Sequence, residues 1–256
     1  MSIVVIPDMH GSTNWKCVLN TEYDFLVSLG DWFDGEGTAD EQIANFTEFM
    51  EYVKEDPTKR FSLIGNHDFQ YMVSTDSYTT NAQLKDIPKI KAVLQKYQPF
   101  LRVIVSLFGV VFSHAGVTKT WMKHNAINQI NANAFTFKPL MKALSFNRRD
   151  LCTDDCGDDV YQSPLWVRPP SLLKDSAFEF QVVGHTCMAR NGEPVFARYK
   201  DKHVVFLDSS TRDCIVNLDV KNIRDMNWKD VTIPPFYRLQ RAKSDKDFFA
   251  NPYKFI

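Results

Sequence analysis

Long apolar runs are missing from this chain of 256 residues. No window approaches the roughly 18 uncharged apolar residues that mark a membrane-spanning helix. The beginning of the chain also lacks a basic start followed by an apolar stretch and a small-residue cleavage site, the pattern of a secretory signal. We therefore expect a soluble protein that is not exported and has no membrane partner.

A regular cysteine framework and a strong net charge are also absent. The five cysteines are an odd number without regular spacing, which favours a reducing compartment, and we predict a cytoplasmic protein. The formal net charge of −1 provides no global attraction to a polyanion, because such binding depends on clustered Lys and Arg. Nucleic acid is therefore disfavoured as a partner.

The composition is that of an ordinary globular protein, with 44% hydrophobic, 13% aromatic and 24% charged residues. We find no internal repeat and no low-complexity linker that would mark a domain boundary. One α/β domain can account for residues 1–220, with residues 221–256 as a C-terminal extension. The extension mixes basic and aromatic residues, which could stack nucleic-acid bases, but large aromatics more often pack back on the domain.

Five short apolar runs are each followed at once by a polar cluster. The runs are IVVI, FLVSL, FSLI, GVVF and FQVV, and the clusters are PDMHG, GDWFDG, GNHD, SHAG and GHT. Such runs are typical of buried strands, and ligands of α/β sheets bind beyond the carboxyl ends of the strands. We expect five strand ends to bring these polar side chains to one edge.

Helix patterns lie between the strands. Thr38 and Glu41 form a capping-box signature before an apolar pattern of helical spacing that Pro57 ends, and a second helix is predicted from Pro88. The runs 204–207 and 214–218 are interpreted as further strands in a second sheet. The alternation predicts a layered α/β domain.

Residues 117–178 interrupt this rhythm. The first half of the segment is rich in Lys and Arg and the second half in Asp. One interpretation is a solvated excursion whose halves pair with each other, and the other is a cap over the site.

The polar clusters together predict a metal centre. They contain Asp8, His10, Asp31, Asp34, Asn66, His67, Asp68, His114 and His185, and hold four of the six histidines. The Asp8 and His10 pair alone is weak evidence, since Asp201 and His203 have the same spacing. Oxygen ligands mixed with imidazoles suit divalent transition ions, and the groups exceed what one tetrahedral site needs. Two ions bridged by a carboxylate could deprotonate a shared water for attack on phosphorus.

In this order, the five clusters resemble those of the calcineurin-like metallophosphoesterase family, and most closely its phosphoprotein phosphatase branch. That branch includes bacterial and phage serine/threonine phosphatases and symmetrical dinucleoside-tetraphosphatases. The segment SPLWVRP at 163–169 resembles a segment of the same branch. The resemblance implies a four-layer αββα sandwich, here as a single domain with a cap-like insertion, with the metals at the strand ends.

The resemblance also implies a role for each site residue. Asp8, His10 and Asp31 would hold the first metal, and Asp31, Asn66, His114 and His185 the second. His67 would be the general acid, oriented by Asp34. Arg168 would bind a phosphate oxygen of the substrate, as would Asn66. Two divalent ions are implied, with Mn²⁺ favoured and iron or zinc as alternatives.

Three departures from the pattern bear on the substrate. Gly35 stands where protein phosphatases of this branch have a phosphate-binding arginine, a role that Arg148, Arg149 or Arg190 could take over. Asp68 replaces the usual glutamate, which weakens the hypothesis that the substrate is a protein. Cys187 replaces a histidine ligand of the diesterase branches, which counts against a diesterase, and it is interpreted as a small core residue.

The leading hypothesis is therefore a metal-dependent phosphomonoesterase of the protein serine/threonine phosphatase type, acting on a phosphoprotein or a nucleotide. The alternative is hydrolysis of a dinucleoside polyphosphate, with the basic insertion gripping the additional phosphates. A catalytically inactive phosphate-binding module is the third possibility.

Overall fold

The computed structural model describes residues 1–73, 79, 81–125, 127, 159–189, 193–209, 215–220 and 222–231. These residues form two β-sheets with helices outside them. None of the helices in these ranges has both the length and the apolar composition needed to cross a bilayer.

The first sheet has five strands in the order β10-β1-β2-β3-β4. Its strands are β1 (Ser2–Ile6), β2 (Phe25–Ser28), β3 (Arg60–Leu63), β4 (Leu101–Arg102) and β10 (Val216–Asp219). The strands β1 to β4 are parallel, and Ile3 pairs with Phe25 and Val27 with Phe61. Strand β10 is antiparallel to β1. The carboxyl ends of β1, β2 and β3 therefore lie at one edge, as predicted.

The second sheet has six strands in the order β11-β8-β9-β7-β6-β5. Its strands are β5 (Ile104–Leu107), β6 (Val110–Ser113), β7 (Phe180–Val183), β8 (Val195–Tyr199), β9 (Lys202–Phe206) and β11 (Lys229–Asp230). The strands β6, β7 and β9 are parallel, and β5 is antiparallel to β6. Strand β8 is antiparallel to β9 and parallel to β11. The first sheet, not the second, contains β10, because hydrophobic alternation in a strand does not specify its pairing partner.

Five α-helices occur in the described ranges. They are α1 (Ala39–Glu55), α2 (Asn66–Met72), α3 (Ile87–Tyr97), α4 (Lys119–His124) and α5 (Pro169–Asp175). Short 3-10 helices cover Asn14–Asn20, Leu84–Asp86, Gln98–Phe100 and Ile223–Asp225. The predicted capping box opens α1, with Thr38 and Glu41 bonded to each other's backbone, and α1 ends before Pro57. The helix expected from Pro88 is α3, and α2 was not predicted.

Alternation along the strands produces four layers. On β1, Ile3 and Val5 lie between the two sheets, while Val4 and Ile6 face α1 and α3. On the far side, Val204 and Phe206 of β9 belong to the apolar cluster that contains Leu172 and Leu173 of α5. Successive side chains of a strand point to opposite faces, so each sheet buries both of its faces. The predicted αββα sandwich is confirmed.

Most of the predicted insertion and extension lies outside the described residues. The ends of the 117–178 segment belong to the domain, since Trp121 is fully buried and Leu172 packs on the second sheet. At the start of the extension, Trp228 contacts Phe180 and His203. The cap, the remainder of the extension and the 1–220 boundary stay predictions, as do the roles weighed for Arg148, Arg149 and Arg190.

Candidate metal centre

The five polar clusters converge at the carboxyl ends of strands from both sheets. Asp8 and His10 follow β1, Asp31 follows β2, Asn66 begins α2 after β3, His114 follows β6 and His185 follows β7. Backbone hydrogen bonds join neighbouring strand ends within each sheet. The carbonyl oxygen of Asp31 accepts from the backbone N–H of His10 at 2.7 Å, and that of His114 accepts from Gly184 at 2.8 Å.

The backbone is held in an unusual conformation at four of the predicted site residues. His10, Asp31, Asp34 and His185 have φ angles of 43°, 52°, 66° and 60°. Only three other non-glycine residues of the described ranges, Asn81, Phe108 and Lys200, have positive φ. A left-handed backbone conformation is unfavourable for L-residues, and residues in strained backbone conformations cluster at functional sites. The turns therefore direct side chains in a way that sequence patterns do not reveal.

Asp31 lies at the centre of the cluster. Its Oδ2 atom lies 3.6 Å from His10 Nε2 and 3.4 Å from His114 Nε2. Its Oδ1 atom accepts a hydrogen bond from the backbone N–H of His67 at 2.8 Å. Two groups of potential metal ligands share this residue, one with His10 and His67 and the other with His114 and His185. Asp31 is thus the only member common to the two groups found among the described residues.

The carboxylates of the centre are buried at an electrostatic cost. Burial raises the pKa of Asp31 to about 8, and Asp68 and Asp208 add to the rise while His67 opposes it. Burial, Asp208 and Asp31 raise the pKa of Asp8 well above its ordinary value. Closely spaced carboxylates in a desolvated site cannot all ionise without a compensating positive charge. Divalent cations would provide that charge.

The hydrogen-bonding groups around Asn66 are also those of a cation site. Burial lowers the pKa of His114 to about 3, so the ring is neutral. Its Nδ1–H donates to the carbonyl oxygen of Leu29 at 2.9 Å, which leaves a lone pair on Nε2. That lone pair faces Asn66 Oδ1 at 2.8 Å and Asp31 Oδ2. A cation bound among these three acceptors would remove their mutual repulsion.

His185 lies on the same side as His114, and Asp8 lies next to His185. Burial and then Arg168 lower the pKa of His185 well below its ordinary value, and its Nδ1 lies 2.9 Å from Asn66 Oδ1. Asp8 Oδ2 accepts from the backbone N–H of His185 at 2.9 Å. Asp8 Oδ1 is buried and has no hydrogen-bond partner among the described residues. A buried carboxylate oxygen without a donor is available to a metal ion.

His67 and Asp34 form the predicted pair. His67 Nδ1 lies 2.9 Å from Asp34 Oδ2, and the Asp34 side chain is completely buried. Burial alone would lower the pKa of His67, but the charges of Asp31 and Asp34 and the hydrogen bond to Asp34 outweigh it and raise the pKa. The ring is in edge contact with that of His10, with centroids 4.8 Å apart. The imidazole of His67 therefore lies directly beside the centre, and the neighbouring carboxylates favour its protonated form.

Arg168 lies at the start of α5, next to the same edge. Its Nη1 donates to the carbonyl oxygen of His185 and to Thr186 Oγ1, both at 3.4 Å. The guanidinium is close enough to His185 and His114 to lower the pKa of both imidazoles. The structure thus brings all nine predicted site residues to one edge of the sandwich.

Two of the departures have a local explanation. A Cβ at Gly35 would lie 1.9 Å from the carbonyl oxygen of His10, so no side chain fits there without displacing the His10 turn. Asp68 uses both carboxylate oxygens on backbone N–H groups, Oδ1 on Trp32 at 2.7 Å and Oδ2 on Asp31 and Gly65 at 2.9 and 3.0 Å. Asp68 therefore joins the ends of β2 and β3.

Sequence reasoning missed the residues that support the centre. They are Asp68 as a backbone acceptor, Asp208 as a nearby charge, and Gln42, Gln70, Tyr71 and Thr79 around Asp34. Gln70 and Tyr71 follow His67 by three and four residues. This is the spacing of one helix face, and a helix prediction over 66–72 would have identified both. Cys187, which was interpreted as a core residue, is only partly buried.

Comparisons with known proteins agree with this arrangement. A sequence model described as calcineurin-like phosphoesterase matches residues 1–189. No curated protein matches the chain. Among solved structures, a point mutant of a cold-active protein tyrosine phosphatase is 17% identical, with a TM-score of 0.54 over 83% of this chain and 72% of that chain.

Two other solved structures are similar in the same sense. The cold-active protein-tyrosine phosphatase of a psychrophilic Shewanella species is 19% identical, with a TM-score of 0.52 over 83% of this chain and 72% of that chain. A protein serine/threonine phosphatase from Saccharomyces cerevisiae is 13% identical, with a TM-score of 0.49 over 82% of this chain and 67% of that chain. For the two protein tyrosine phosphatase structures, the likeness at these identities concerns the fold alone.

Proposed function

The chain belongs to the calcineurin-like phosphoesterase family, and from this premise we propose that it is a dinuclear metal-dependent phosphomonoesterase. The observation that carries the proposal is the position of Asp31 Oδ2, which faces His10 Nε2 at 3.6 Å and His114 Nε2 at 3.4 Å. One carboxylate oxygen between two imidazoles from different strand ends is suited to bridging two cations.

Six residues would hold the ions. The first site would consist of Asp8, His10 and Asp31, and the second of Asp31, Asn66, His114 and His185. The mixture of carboxylate, amide and imidazole ligands supports manganese, iron or zinc, of which we propose manganese. When bound, the ions would lower the pKa of a water molecule and neutralise charge on the phosphoryl group.

The chain's own residues provide the remaining chemistry. Arg168, at the edge of the centre, would donate to a phosphoryl oxygen as a charge-assisted hydrogen bond. His67 would transfer its Nε2 proton to the leaving oxygen as the bond from that oxygen to phosphorus breaks, and would keep its Nδ1–H on Asp34. The histidine is left neutral and regains its proton from solvent.

A substrate panel tests this proposal. Purified protein with added Mn²⁺ should hydrolyse a phosphoserine peptide, a nucleoside monophosphate and an aryl phosphate faster than bis(p-nitrophenyl) phosphate. Faster cleavage of the diester would refute a monoesterase. Absence of turnover, together with binding of a phosphopeptide or nucleotide, would indicate a binding module instead.

The dinucleoside polyphosphate alternative is tested separately. Residue 35 is a glycine, and the His10 turn fills the space that a side chain there would need. The chain therefore has no arginine at this position to bind a single phosphoryl group. Incubation with diadenosine tetraphosphate and chromatography of the products distinguishes the two functions. A higher kcat/KM for this compound than for every monoester would favour the alternative.

A further inference from the structure

The carboxylate of Asp34 receives more hydrogen bonds than its pairing with His67 requires. Its Oδ2 atom accepts from His67 Nδ1 at 2.9 Å and from Gln70 Nε2, and Thr79 Oγ1 lies 3.4 Å away. Its Oδ1 atom accepts from the hydroxyl of Tyr71. The side chain of Asp34 is completely buried. Its three partners besides His67 are Gln70, Tyr71 and Thr79, and all three are uncharged.

Three of these four partners come from one face of α2. His67, Gln70 and Tyr71 are separated by three and four residues, so they lie on the same side of the helix. All three side chains reach the same carboxylate. The donor to Oδ1 is therefore fixed relative to the imidazole on Oδ2, because both belong to one short helix.

Tyr71 is itself held in place. Its side chain is 1% exposed, and its oxygen accepts a hydrogen bond from the backbone N–H of Gln83 at 2.7 Å. Its ring is in edge contact with that of Phe33, with centroids 6.1 Å apart. A hydroxyl that accepts from a backbone donor has its own proton directed elsewhere, and the direction here is Asp34 Oδ1. The residue thus has one orientation available.

We propose that Tyr71 is a positioning residue for proton transfer by His67 and acts through Asp34. Its hydroxyl anchors Oδ1, so that Oδ2 faces His67 Nδ1 and keeps the proton of that nitrogen on the Asp34 side. The imidazole then presents Nε2 to the leaving oxygen. This inference rests on the proposed phosphatase activity and adds to it the residue that orients the acid pair.

The test compares two leaving groups in Tyr71→Phe. A phosphoserine peptide releases an alkoxide, which needs a proton, whereas 2,4-dinitrophenyl phosphate releases a stable phenolate, which does not. We expect kcat for the peptide to fall roughly 10-fold or more, since general acids contribute about 10²–10⁴ in rate and Tyr71 supports one indirectly. The kcat for the dinitrophenyl ester should change by less than about twofold.

Tyr97→Phe is the matched control. Tyr97 is also 1% exposed, and its hydroxyl donates to Glu51 at 2.5 Å, a contact that involves none of the site residues. This variant should leave both kcat values unchanged. If Tyr71→Phe lowered both kcat values equally, its role would be structural and the proposal would be wrong. Unchanged kcat for both substrates would also overturn it.

A spectroscopic measurement makes the test independent of turnover. The Nδ1–H proton of His67, identified by the loss of its signal in His67→Gln, should resonate downfield in the wild-type protein because of its bond to a buried carboxylate. Tyr71→Phe should shift or broaden this signal, and Tyr97→Phe should not. An unchanged signal in Tyr71→Phe would refute the positioning role, whether or not the wild-type protein hydrolyses a phosphate ester. Absence of hydrolysis by the wild-type protein would refute only the proposed function.

Gln70→Leu provides a second variant in case Tyr71→Phe does not fold. It removes the donor that Gln70 supplies to Asp34 Oδ2. It should produce the same selective loss on the phosphoserine peptide. Equal losses on both substrates would exclude positioning of the acid pair through Asp34.

Discussion

Replacing Gly184 by alanine should disable one metal site while leaving the fold in place. Gly184 follows β7, and a Cβ on it would lie 2.0 Å from Asp8 Oδ1. This oxygen is buried, has no hydrogen-bond partner among the described residues, and is the atom that we assign to a metal. The substitution therefore acts on a ligand atom without changing any ligand.

The size of the effect follows from the geometry. Ordinary contact with a Cβ begins at 3.4 Å, so the Asp8 oxygen must retreat by about 1.4 Å. Metal–ligand distances are held to within about 0.2 Å, so a shift of this size removes the ligand. Even changes to groups that only orient a ligand weaken metal affinity by about 10–100-fold, and we expect a loss at the upper end of this range.

Calorimetric titration with Mn²⁺ measures the effect, and circular dichroism on heating monitors the fold. Gly109→Ala is the control, because Gly109 has φ of +84° but no atom within 4 Å of a Cβ. That variant should lose about 1–2 kcal/mol of stability from backbone strain and none of its affinity. Wild-type affinity in a folded Gly184→Ala protein would refute the assignment of Asp8 as a ligand.

Three further outcomes are expected. Asp31→Asn removes the charge shared by both sites, so metal analysis should find fewer than two ions per chain, whereas His67→Ala should keep its metal and lose roughly 10²–10⁴ in kcat. Equal metal loss in both variants would contradict the division between ligand and acid. The metal-free protein should lose stability as the pH rises from 6.5 to 8. In this range Asp31, with a pKa of about 8, still holds a proton in the folded state that the unfolded chain has lost, so its contribution to stability falls as the pH rises. His114, with a pKa of about 3, is neutral when folded and partly protonated in the unfolded chain near pH 6.5, so it offsets a smaller part of this fall. The Asp31 contribution is on the order of 2 kcal/mol, and Mn²⁺ should reverse the trend. Denaturant midpoints that rise over this range without metal would show that the Asp31 carboxylate is not raised in pKa.

Local patterns were sufficient to predict the main elements of the fold. Runs of apolar residues bounded by glycine predicted β1, β2, β3, β6 and β7, and the capping box predicted the start of α1. These signals depend on residues within a few positions of one another, and the chain carries them directly. The pairing of β10 with β1 was not predictable in the same way, because it joins residues from opposite ends of the described chain.

The supporting contacts of the site required the tertiary structure. Asp8 meets the backbone of His185 across 177 residues, and Tyr71 meets Asp34 across 37. The left-handed residues Asp31 and His185 likewise form hydrogen bonds with residues of distant loops, Asp31 with His10 and His185 with Asp8. No local spacing pairs Asp8 with His185, and the helical spacing of Tyr71 after His67 places both on one helix face without identifying Asp34 as the carboxylate they reach.

The amino-acid sequence is sufficient to predict the chemistry of the candidate ligands, their order and their places at strand ends. Residue type and hydrophobic period are properties of short segments. The tertiary structure alone shows which oxygen faces which nitrogen, which groups a side chain at Gly35 or Gly184 would displace, and what holds Asp34. Those contacts arise where two sheets bring separate loops to one edge, and their distances depend on the packing of the whole sandwich.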